Sequence, residues 1–257
     1  MITPKPSVVS LNASHAFAQH LLLMVPFTEG SGQPGIIRGA DGVAAGAPTT
    51  TTWTGTPATW SSNSGGTCMH VAAGTANPLR IGDVGSGAWL PTGDCTVAFV
   101  YGASTSVGSA CSNSYADSWF KSAITGTGTF AASFLCASGG VLQWAYGHST
   151  GGGNCASGGT ATHHLDPPDT WVLTAGAAGM AIYRNGVAFG SLAGAATRTS
   201  DATELLIMNM SVLQDVNFFQ VSAMQWDAAT AAAWAADPYA HLVSASAPSA
   251  FSLLGVG

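Results

Sequence analysis

The strongest structural signal in this 257-residue chain is Ala181-Ile182-Tyr183-Arg184-Asn185-Gly186-Val187-Ala188-Phe189. The pair Asn185-Gly186 tolerates the positive φ angles that a type I′ turn requires, and short β-prone segments flank it. The pattern predicts a β-hairpin around this turn. The segment Trp171-Val172-Leu173-Thr174-Ala175 and a loop over residues 176–179 precede it, which adds one more antiparallel strand.

Other strand-like segments recur at short spacing, and Gly or Ser clusters bound most of them. The first is predicted at residues 21–27. The clearest of the first half is 95–101, where β-branched and aromatic residues alternate. Further strands are predicted at 68–72, 79–81, 119–120, 129–136, 141–146, 204–208 and 217–226. Short strands at regular spacing favour an all-β sandwich or barrel.

Residues 35–66 are rich in Gly, Thr and Pro. They predict irregular loop with short strands, in which Trp53 and Trp60 plug the edge of the sandwich. One helix is predicted, because Asp227 is a suitable N-cap and residues 228–236 are almost all alanine. Asp237-Pro238 ends this helix.

The domain organisation follows from these elements. Residues 1–20 are predicted to be an N-terminal arm, because Pro4 and Pro6 interrupt regular structure. Residues 21–243 are predicted to form one sandwich domain. Residues 244–257 form a C-terminal tail, which is either an extended arm packed on a neighbour or a disordered terminus.

The composition predicts a nearly neutral surface. Only 7% of residues are charged and the net charge is −6, whereas charged residues make up about 25% of a typical soluble protein. Such a surface suits a protein that packs against other copies or other chains. The alternative is a secreted, protease-resistant domain with the same low content of charged residues.

Several classes of protein are excluded by charge and hydropathy. The chain has two lysines, Lys5 and Lys121, and four arginines, so it lacks the basic patch that nucleic-acid binding needs. Its longest apolar run, residues 21–27, is far shorter than the roughly 20 residues of a membrane-spanning helix. Residues 1–20 lack the basic start and apolar core of a signal peptide, so synthesis in a cytoplasm is expected.

The five cysteines are Cys68, Cys95, Cys111, Cys136 and Cys155. Their odd number and wide spacing argue against a disulfide framework, and the absence of Cys-x-x-Cys argues against zinc. Most are predicted to be buried small residues or free thiols. Cys111 and Cys155 lie in predicted Gly/Ser-rich loops, so they are the expected pair if one bridge forms.

The acidic residues do not suggest an enzyme. Glycoside hydrolysis needs two carboxylates that face each other, but the only glutamates, Glu29 and Glu204, lie in a turn and at a distant strand start. Asp166 and Asp169 flank Pro167-Pro168, which predicts a rigid loop corner. The Gly-x-Ser-x-Gly elbow of many serine hydrolases is also absent. We therefore expect no catalytic residues.

Two groups of residues were weighed as binding sites. His163-His164-x-Asp166 is a possible metal cluster, but adjacent residues on a strand point to opposite faces, so a strand interpretation is favoured and no metal is expected. Trp89, Trp119, Tyr146 and His148 are candidates for a sugar-binding rim. Large aromatic residues in a Gly/Ala-rich chain are more often core residues. No ligand-binding residue is therefore assigned.

Four segments in order resemble the laminin-G-like or concanavalin A-like jelly roll, over roughly residues 21–242. They are the opening strand and turn at 23–32, the core strand at 96–101, the hairpin at 171–186, and the closing strand, Ala-rich helix and Asp237-Pro238-Tyr239. The resemblance implies a two-sheet antiparallel jelly-roll sandwich with one short C-terminal helix. Some similar modules hold calcium, but Asn217-Phe218-Phe219-Gln220 carries no acid where one is usual, so no cofactor is expected.

Modules with this pattern are frequent in phage virion proteins and in carbohydrate-binding appendages. The resemblance and the low charge together predict a non-enzymatic virion protein, a capsid decoration or cement protein. Its partners would be the major capsid protein or other virion proteins, its location the virion, and its state a homo-oligomer such as a trimer. The alternative is a lectin-like module of a phage fibre or spike that binds a host glycan.

Overall fold

The computed structural model describes residues 5, 9–45, 50–53, 58–72, 79–81, 90–103, 118–123, 130–136, 141–146, 154–160, 164–196, 204–209 and 213–244. Within this part of the chain, strands predominate. They are β1 Val9–Leu11, β2 Leu21–Val25, β3 Ile37–Arg38, β4 Thr51–Trp53, β5 Thr59–Asn63, β6 Gly66–Val71, β7 Leu79–Ile81, β8 Cys95–Ala103, β9 Ser118–Ala123, β10 Phe130–Cys136, β11 Val141–Tyr146, β12 Asn154–Thr160, β13 Asp169–Gly176, β14 Gly179–Arg184, β15 Val187–Leu192, β16 Glu204–Asn209, β17 Gln214–Ser222 and β18 Leu242–Ser244.

Three short helical segments accompany the strands. They are a 3-10 helix at Ala16–Ala18, α1 at Ala40–Ala45 and α2 at Ala228–Ala236. Asp227 caps α2, because its carboxylate accepts a hydrogen bond from Thr230 N at 2.7 Å. The Asp227 cap and the bounds of α2 confirm the helix that the sequence predicts. None of these helices is long and apolar enough to span a bilayer.

The strands form an antiparallel two-layer sandwich. The hydrogen-bonded strand order is continuous and runs β3-β2-β17-β8-β13-β14-β15-β12-β11-β10-β9-β16-β7-β4. We divide it between β15 and β12 into a first layer, from β3 to β15, and a second layer, from β12 to β4, because side chains of β10 and β11 pack against β8 and β13. A short pairing of β15 with β12 joins the layers, and the β5–β6 hairpin adds to β17. A separate ribbon pairs β1 with β18. This all-β, jelly-roll-like sandwich confirms the predicted fold class.

The main core lies between the two layers and is rich in aromatic contacts. Phe134 of β10 packs against Phe99 of β8 and Trp171 of β13, with ring centroids 5.8 and 5.3 Å apart. Trp144 of β11 also donates a hydrogen bond from Nε1 to Thr174 O at 3.0 Å. Because the buried indole N–H has a partner, this large side chain fills the core without an unsatisfied donor.

The first layer is also covered on its outer face. A second apolar cluster there contains Phe218, Trp226 and Trp234, together with Phe17 and Leu242 from the terminal segments. Every residue of β2, β8, β13 and β17 is therefore buried. This explains the nearly continuous apolar sequences of β2 and β8, since a strand buried on both faces has no polar alternation. The strand β17 is buried although it also carries polar side chains, namely Gln214, Asp215, Asn217, Gln220 and Ser222.

Part of the predicted N-terminal arm packs on this outer face. The ring centroids of Phe17 and Trp226 are 5.5 Å apart, and β1 pairs with β18.

Lys5 is buried as well. Burial lowers the pKa of its ammonium to about 7, although the charges of Cys68 and Glu29 act in the opposite direction. Residues 245–257 of the predicted tail lie outside the described residues.

The strand β12 corrects a prediction, because the sequence places Cys155 in a loop. Short polar and glycine residues give β12 little intrinsic strand preference, so its pairing with β11 and β15 determines its conformation. Gly190 permits this junction, since a Cβ there would lie 2.4 Å from Ser157 O.

In the predicted loop of residues 35–66, the structure adds helix α1, while Trp53 and Trp60 pack half-buried against the core.

Three cysteines with described side chains, Cys68, Cys95 and Cys155, are not in disulfide bonds. Cys68 and Cys95 are buried and Cys155 is half-buried. Burial raises the pKa of the Cys68 thiol to about 12, which makes it unreactive. Cys155 therefore does not form the bridge considered with Cys111, which lies outside the described residues, as does the side chain of Cys136.

His241 is fully buried in the outer cluster, and neither ring nitrogen has a hydrogen-bond partner among the described residues. Its ring lies 5.6 Å from that of Phe218 and 6.2 Å from that of His15. Burial, with a smaller contribution from His15, lowers the pKa of His241 to about 4. The folded protein therefore keeps this imidazole neutral in weak acid.

We predict that His241→Phe removes part of the acid sensitivity of the protein. Because the unfolded chain protonates His241 near pH 6.5 and the folded chain only near pH 4, the stability is complete above pH 6.5 and falls as the pH drops towards 4. The wild type should lose about 3 kcal/mol relative to the variant over this window. Urea unfolding at pH 7, 5.5 and 4 measures this difference, with the exposed His164→Ala as control. Parallel pH profiles for wild type and His241→Phe would contradict the prediction.

Candidate functional site

The turn at Asn185-Gly186 is the centre of the candidate site. Asn185 has φ 51° and Gly186 has φ 77°, as the predicted type I′ turn requires. The turn joins β14 to β15 with Arg184 opposite Val187. Asn185 N donates to Thr170 O at 2.8 Å, so the turn is also bound to the beginning of β13.

Asp169 fastens this turn with both of its carboxylate oxygens. Its Oδ2 accepts from Arg184 Nη2 at 2.7 Å and from Arg184 Nε at 3.1 Å. Its Oδ1 accepts from Asn185 Nδ2 at 2.7 Å. The charge-assisted, bidentate geometry makes this a strong contact, and the partial burial of both side chains limits screening by salt. We call Asp169, Arg184 and Asn185 the turn clamp.

The sequence interpretation of Asp169 needs correction. Asp169 was assigned to a loop corner, but it is the first residue of β13 and pairs with Tyr101 of β8. The Arg184 guanidinium lies 5.4 Å from the Trp171 ring centroid, so a cation–π contact supports the ion pair. A hydrogen-bonding pattern that joins residues 15 positions apart is not visible in local sequence.

Helix α2 packs across the turn and completes a groove. Gly186 permits this approach, since a Cβ there would lie 3.2 Å from Ala232 Cα and 3.4 Å from Ala235 Cβ. The space between the turn, the Pro167-Pro168 segment and α2 is an open cavity of about 520 Å³. We call it the hairpin groove; it is lined by His164, Pro167, Pro168, Asp169, Thr170, Asn185, Gly186, Ala232, Ala235 and Ala236.

The hairpin groove has a polar floor and apolar walls. Asn185 is exposed there, and its Oδ1 accepts from Thr170 N at 2.9 Å and from Thr170 Oγ1 at 3.3 Å. One N–H of its Nδ2 binds Asp169, and no described residue accepts from the other. Proline rings and alanine methyl groups form the walls. The groove therefore offers a fixed amide and the exposed His164 imidazole to a ligand.

A second cavity, of about 270 Å³, lies beside the N-terminal end of α2. Its polar groups already have structural partners. Asp227 caps the helix, and Gln225 donates to Gly179 O at 2.8 Å and accepts from Ala178 N at 3.1 Å. Because these groups hold the β13–β14 turn and α2 in place, this cavity is a weaker candidate for a ligand site.

Two of the three residues considered above as a possible metal cluster, His164 and Asp166, lie in the described part of the chain. His164 and Asp166 are both exposed and precede β13, so the strand interpretation is wrong for His164. Asp166 Oδ1 accepts from Ser64 N at 3.1 Å, and His163 lies outside the described residues. No group of three or more His, Cys, Asp or Glu side chains converges within the part of the chain that is described.

Of the four residues considered above for a sugar-binding rim, only Tyr146 has a described side chain. Tyr146 is fully buried and donates from its hydroxyl to Gly93 O at 2.8 Å, so it is a core residue. Trp89, His148 and the side chain of Trp119 lie outside the described residues. Of the two glutamates, Glu29 caps a turn by accepting from Thr28 N and Gly35 N, and Glu204 begins β16. The groove residues were not predicted as a site.

Comparison with known proteins supports the fold. No family model and no curated protein sequence matches the chain. Among solved structures, the receptor-binding domain of botulinum neurotoxin D matches 86% of this chain and 53% of its own length at 10% identity, with a TM-score of 0.57. The binding domain of botulinum neurotoxin DC in complex with rat synaptotagmin II matches 86% and 52% at 9% identity, with a TM-score of 0.57.

A sialidase from Trypanosoma rangeli is also similar, over 85% of this chain and 33% of its own at 10% identity, with a TM-score of 0.56. The chain thus spans about a third to a half of these proteins. At such identities the likeness is one of fold: the β-sandwich is shared with domains of proteins that bind receptors or carbohydrates.

The contact between Gly186 and α2 leads to a stability prediction. Gly186→Ala places a Cβ both at a positive φ and against Ala232, whereas Gly194→Ala has φ 96° and no atom within 4 Å of the new Cβ. We expect Gly194→Ala to lower the free energy of unfolding by about 1 kcal/mol, from backbone strain alone. Gly186→Ala should lower it by about 2 kcal/mol or more, because α2 must also shift. Equal losses in urea unfolding would show that the turn does not support the helix.

Proposed function

We propose that this chain is a non-enzymatic recognition module that binds a glycan in the hairpin groove. The observation that carries the proposal is the combination, in one open cavity of about 520 Å³, of a fixed polar floor with apolar walls. This volume suits a ligand of one or a few sugar units. The exposed Asn185 amide and His164 imidazole supply hydrogen bonds that sugar hydroxyls can accept or donate.

The walls of the groove complement the less polar face of a sugar ring. Pro167 and Pro168 provide rigid rings on one side, and Ala232, Ala235 and Ala236 provide methyl groups on the other. These side chains lose little conformational entropy on binding, so the entropic cost of binding a small ligand is low.

The charges at the groove favour a neutral ligand. The Asp169 carboxylate is neutralised by Arg184 at 2.7 Å, and Asn185 occupies its other oxygen. Neither charge of this pair is therefore available to a strongly charged partner without disrupting the turn. Neutral hexoses fit this balance better than a sialic acid, although the solved binding domain of botulinum neurotoxin DC in complex with SialylT has a similar fold.

The same contacts support a non-enzymatic role. A glycosidase needs two carboxylates placed about the scissile bond, and Asp169 is the one carboxylate among the residues that line the groove. Because Asp169 is engaged with Arg184 and Asn185, it serves the turn rather than proton transfer. These contacts support the lectin-like alternative over an enzymatic role.

The glycan proposal is tested by filling the groove. Ala232 and Ala233 are adjacent, exposed residues of α2, and only Ala232 lines the hairpin groove. We expect Ala232→Trp to reduce binding on a glycan array at least tenfold, because the indole occupies the space of the ligand. Ala233→Trp introduces the same side chain with the same helix propensity cost and should retain binding within about twofold.

Two outcomes would contradict the glycan proposal. The first is that the wild-type chain binds no glycan of a broad array of neutral and sialylated structures. The second is that both tryptophan variants bind as the wild type does. Circular dichroism of the two variants, compared at equal concentration, distinguishes a blocked groove from a disturbed helix.

The low charge favours a second candidate function, that of a virion decoration or cement protein located on a phage capsid. With only 7% charged residues, the contacts of such a protein with capsid chains or with its own copies would be shape-driven and weakly screened by salt. Large hydrophobic residues are also exposed, among them Val43 and Val187, which are 65% and 69% accessible to solvent.

This second candidate predicts salt-tolerant binding to shells. The protein should co-sediment with capsids of the phage that encodes it at a fixed stoichiometry in both 0.1 and 1 M NaCl, since screening weakens charge-driven contacts but not apolar ones. Deletion of residues 245–257 tests the tail as an anchor. Deletion of residues 1–20 is less suitable, because Lys5, β1 and Phe17 belong to the folded domain. Loss of binding at 1 M NaCl, or no binding, would contradict this function.

A further inference from the structure

The Lys5 ammonium lies in a cage of backbone oxygens. Its Nζ donates to Pro26 O at 2.5 Å, Phe27 O at 2.8 Å, Thr67 O at 2.7 Å and Asn217 O at 2.6 Å. These oxygens come from the end of β2, from β6 and from β17, which are distant in sequence. The side chain is about nine-tenths buried, so the ammonium has exchanged its water shell for carbonyl groups.

The number of oxygens suits a spherical cation better than an ammonium. An ammonium has three N–H donors, but four oxygens lie within 2.8 Å of Nζ. At least one oxygen must therefore share a proton. A metal ion binds all four equally, because its coordination does not depend on the directions of N–H bonds.

Features other than the contacts of Lys5 also shape the backbone around the cage. Phe27 has φ 51°, which is costly for a bulky residue, and its side chain is fully buried. The ladder between β17 and β8 shifts register between Val216 and Phe218, at Asn217. Asn217 Nδ2 further donates to Asn63 Oδ1 at 2.8 Å and to Gly66 O at 3.1 Å. These features keep the carbonyl groups of Phe27 and Asn217 directed at one point.

We propose that these four carbonyl oxygens form a site for a monovalent metal cation, K⁺ or Na⁺, which the chain fills with its own Lys5 ammonium. All four ligands are neutral carbonyls, as in potassium-selective filters, where such oxygens replace the hydration shell of the ion. Calcium sites in proteins rely on carboxylate ligands, and none of the four oxygens is one. The Tyr239 ring, whose centroid is 5.9 Å from Nζ, adds a further favourable contact for a single positive charge.

The consequence is that the N-terminal segment acts as a tethered cation. Lys5 connects the opening strand, the β5–β6 hairpin and β17 through one charge, so this residue is fixed to the sandwich. A chain without this ammonium has an unfilled cage, and its stability becomes dependent on the cation in solution. This inference is independent of the hairpin groove and of the glycan proposal.

The test uses two variants of the full chain at pH 6, where Lys5 is protonated. Lys5→Ala empties the cage, whereas Lys5→Met fills much of the same space with an uncharged side chain. Thermal unfolding is measured in KCl, NaCl, CaCl₂ and tetramethylammonium chloride at equal ionic strength. We expect the Tm of Lys5→Ala to rise by about 3–5 °C in KCl or NaCl near tenfold saturation, relative to tetramethylammonium chloride. Wild type and Lys5→Met should show no such difference.

The result remains decisive if Lys5→Ala folds poorly. Refolding in KCl or NaCl but not in tetramethylammonium chloride supports the site, and failure to refold in every salt overturns it. Equal Tm values in all salts also overturn the proposal. A response to CaCl₂ alone overturns the assignment to a monovalent ion.

Discussion

The clamp of Asp169 on Arg184 and Asn185 is the contact on which the outer architecture depends. One carboxylate at the start of β13 binds both residues that lead into the turn, so it holds the β14–β15 turn against the beginning of β13. This arrangement brings Gly186 beneath α2, where the absence of a side chain lets the helix lie close to the sheet. The clamp thus positions the turn side of the hairpin groove, while the Asp227 cap and the buried Trp234 hold α2 on the sheet.

The covering of the first layer on both faces explains why the candidate site is at its margin. The inner face packs on the second layer, and the outer face is occupied by α2, Phe17 and the closing segment around Tyr239. A broad open sheet face is therefore not offered by this layer within the described residues. The hairpin groove lies at the edge of the area that α2 covers. There the Asn185-Gly186 turn, the Pro167-Pro168 segment and α2 surround an accessible concave surface.

Much of the fold was predictable because its signals are local. The Asn185-Gly186 turn, the capped alanine helix at 228–236 and the strands at 79–81 and 141–146 each carry a complete signature within a few residues. The strand β12 was missed because its glycine-rich sequence becomes a strand only between its neighbours. The strands β1 and β18 were missed for the same reason, since each is three residues long and depends on the other.

The site was less predictable than the fold. The sequence indicates a turn at Asn185-Gly186 and a loop at Asp169, but the groove exists only because α2, which is distant in sequence, packs against that turn. Lys5 likewise gives no local signal, because its four partners are 21 to 212 positions away.

The most direct test of the central claim is an NMR titration of the ¹⁵N-labelled wild-type protein with the neutral glycan that the array selects. We expect saturable amide shifts concentrated at Thr170, Asn185, Gly186 and Ala235, with little change in the strands of the second layer. Shifts concentrated away from the hairpin groove, or no saturable shift at any residue, would contradict glycan binding in the groove.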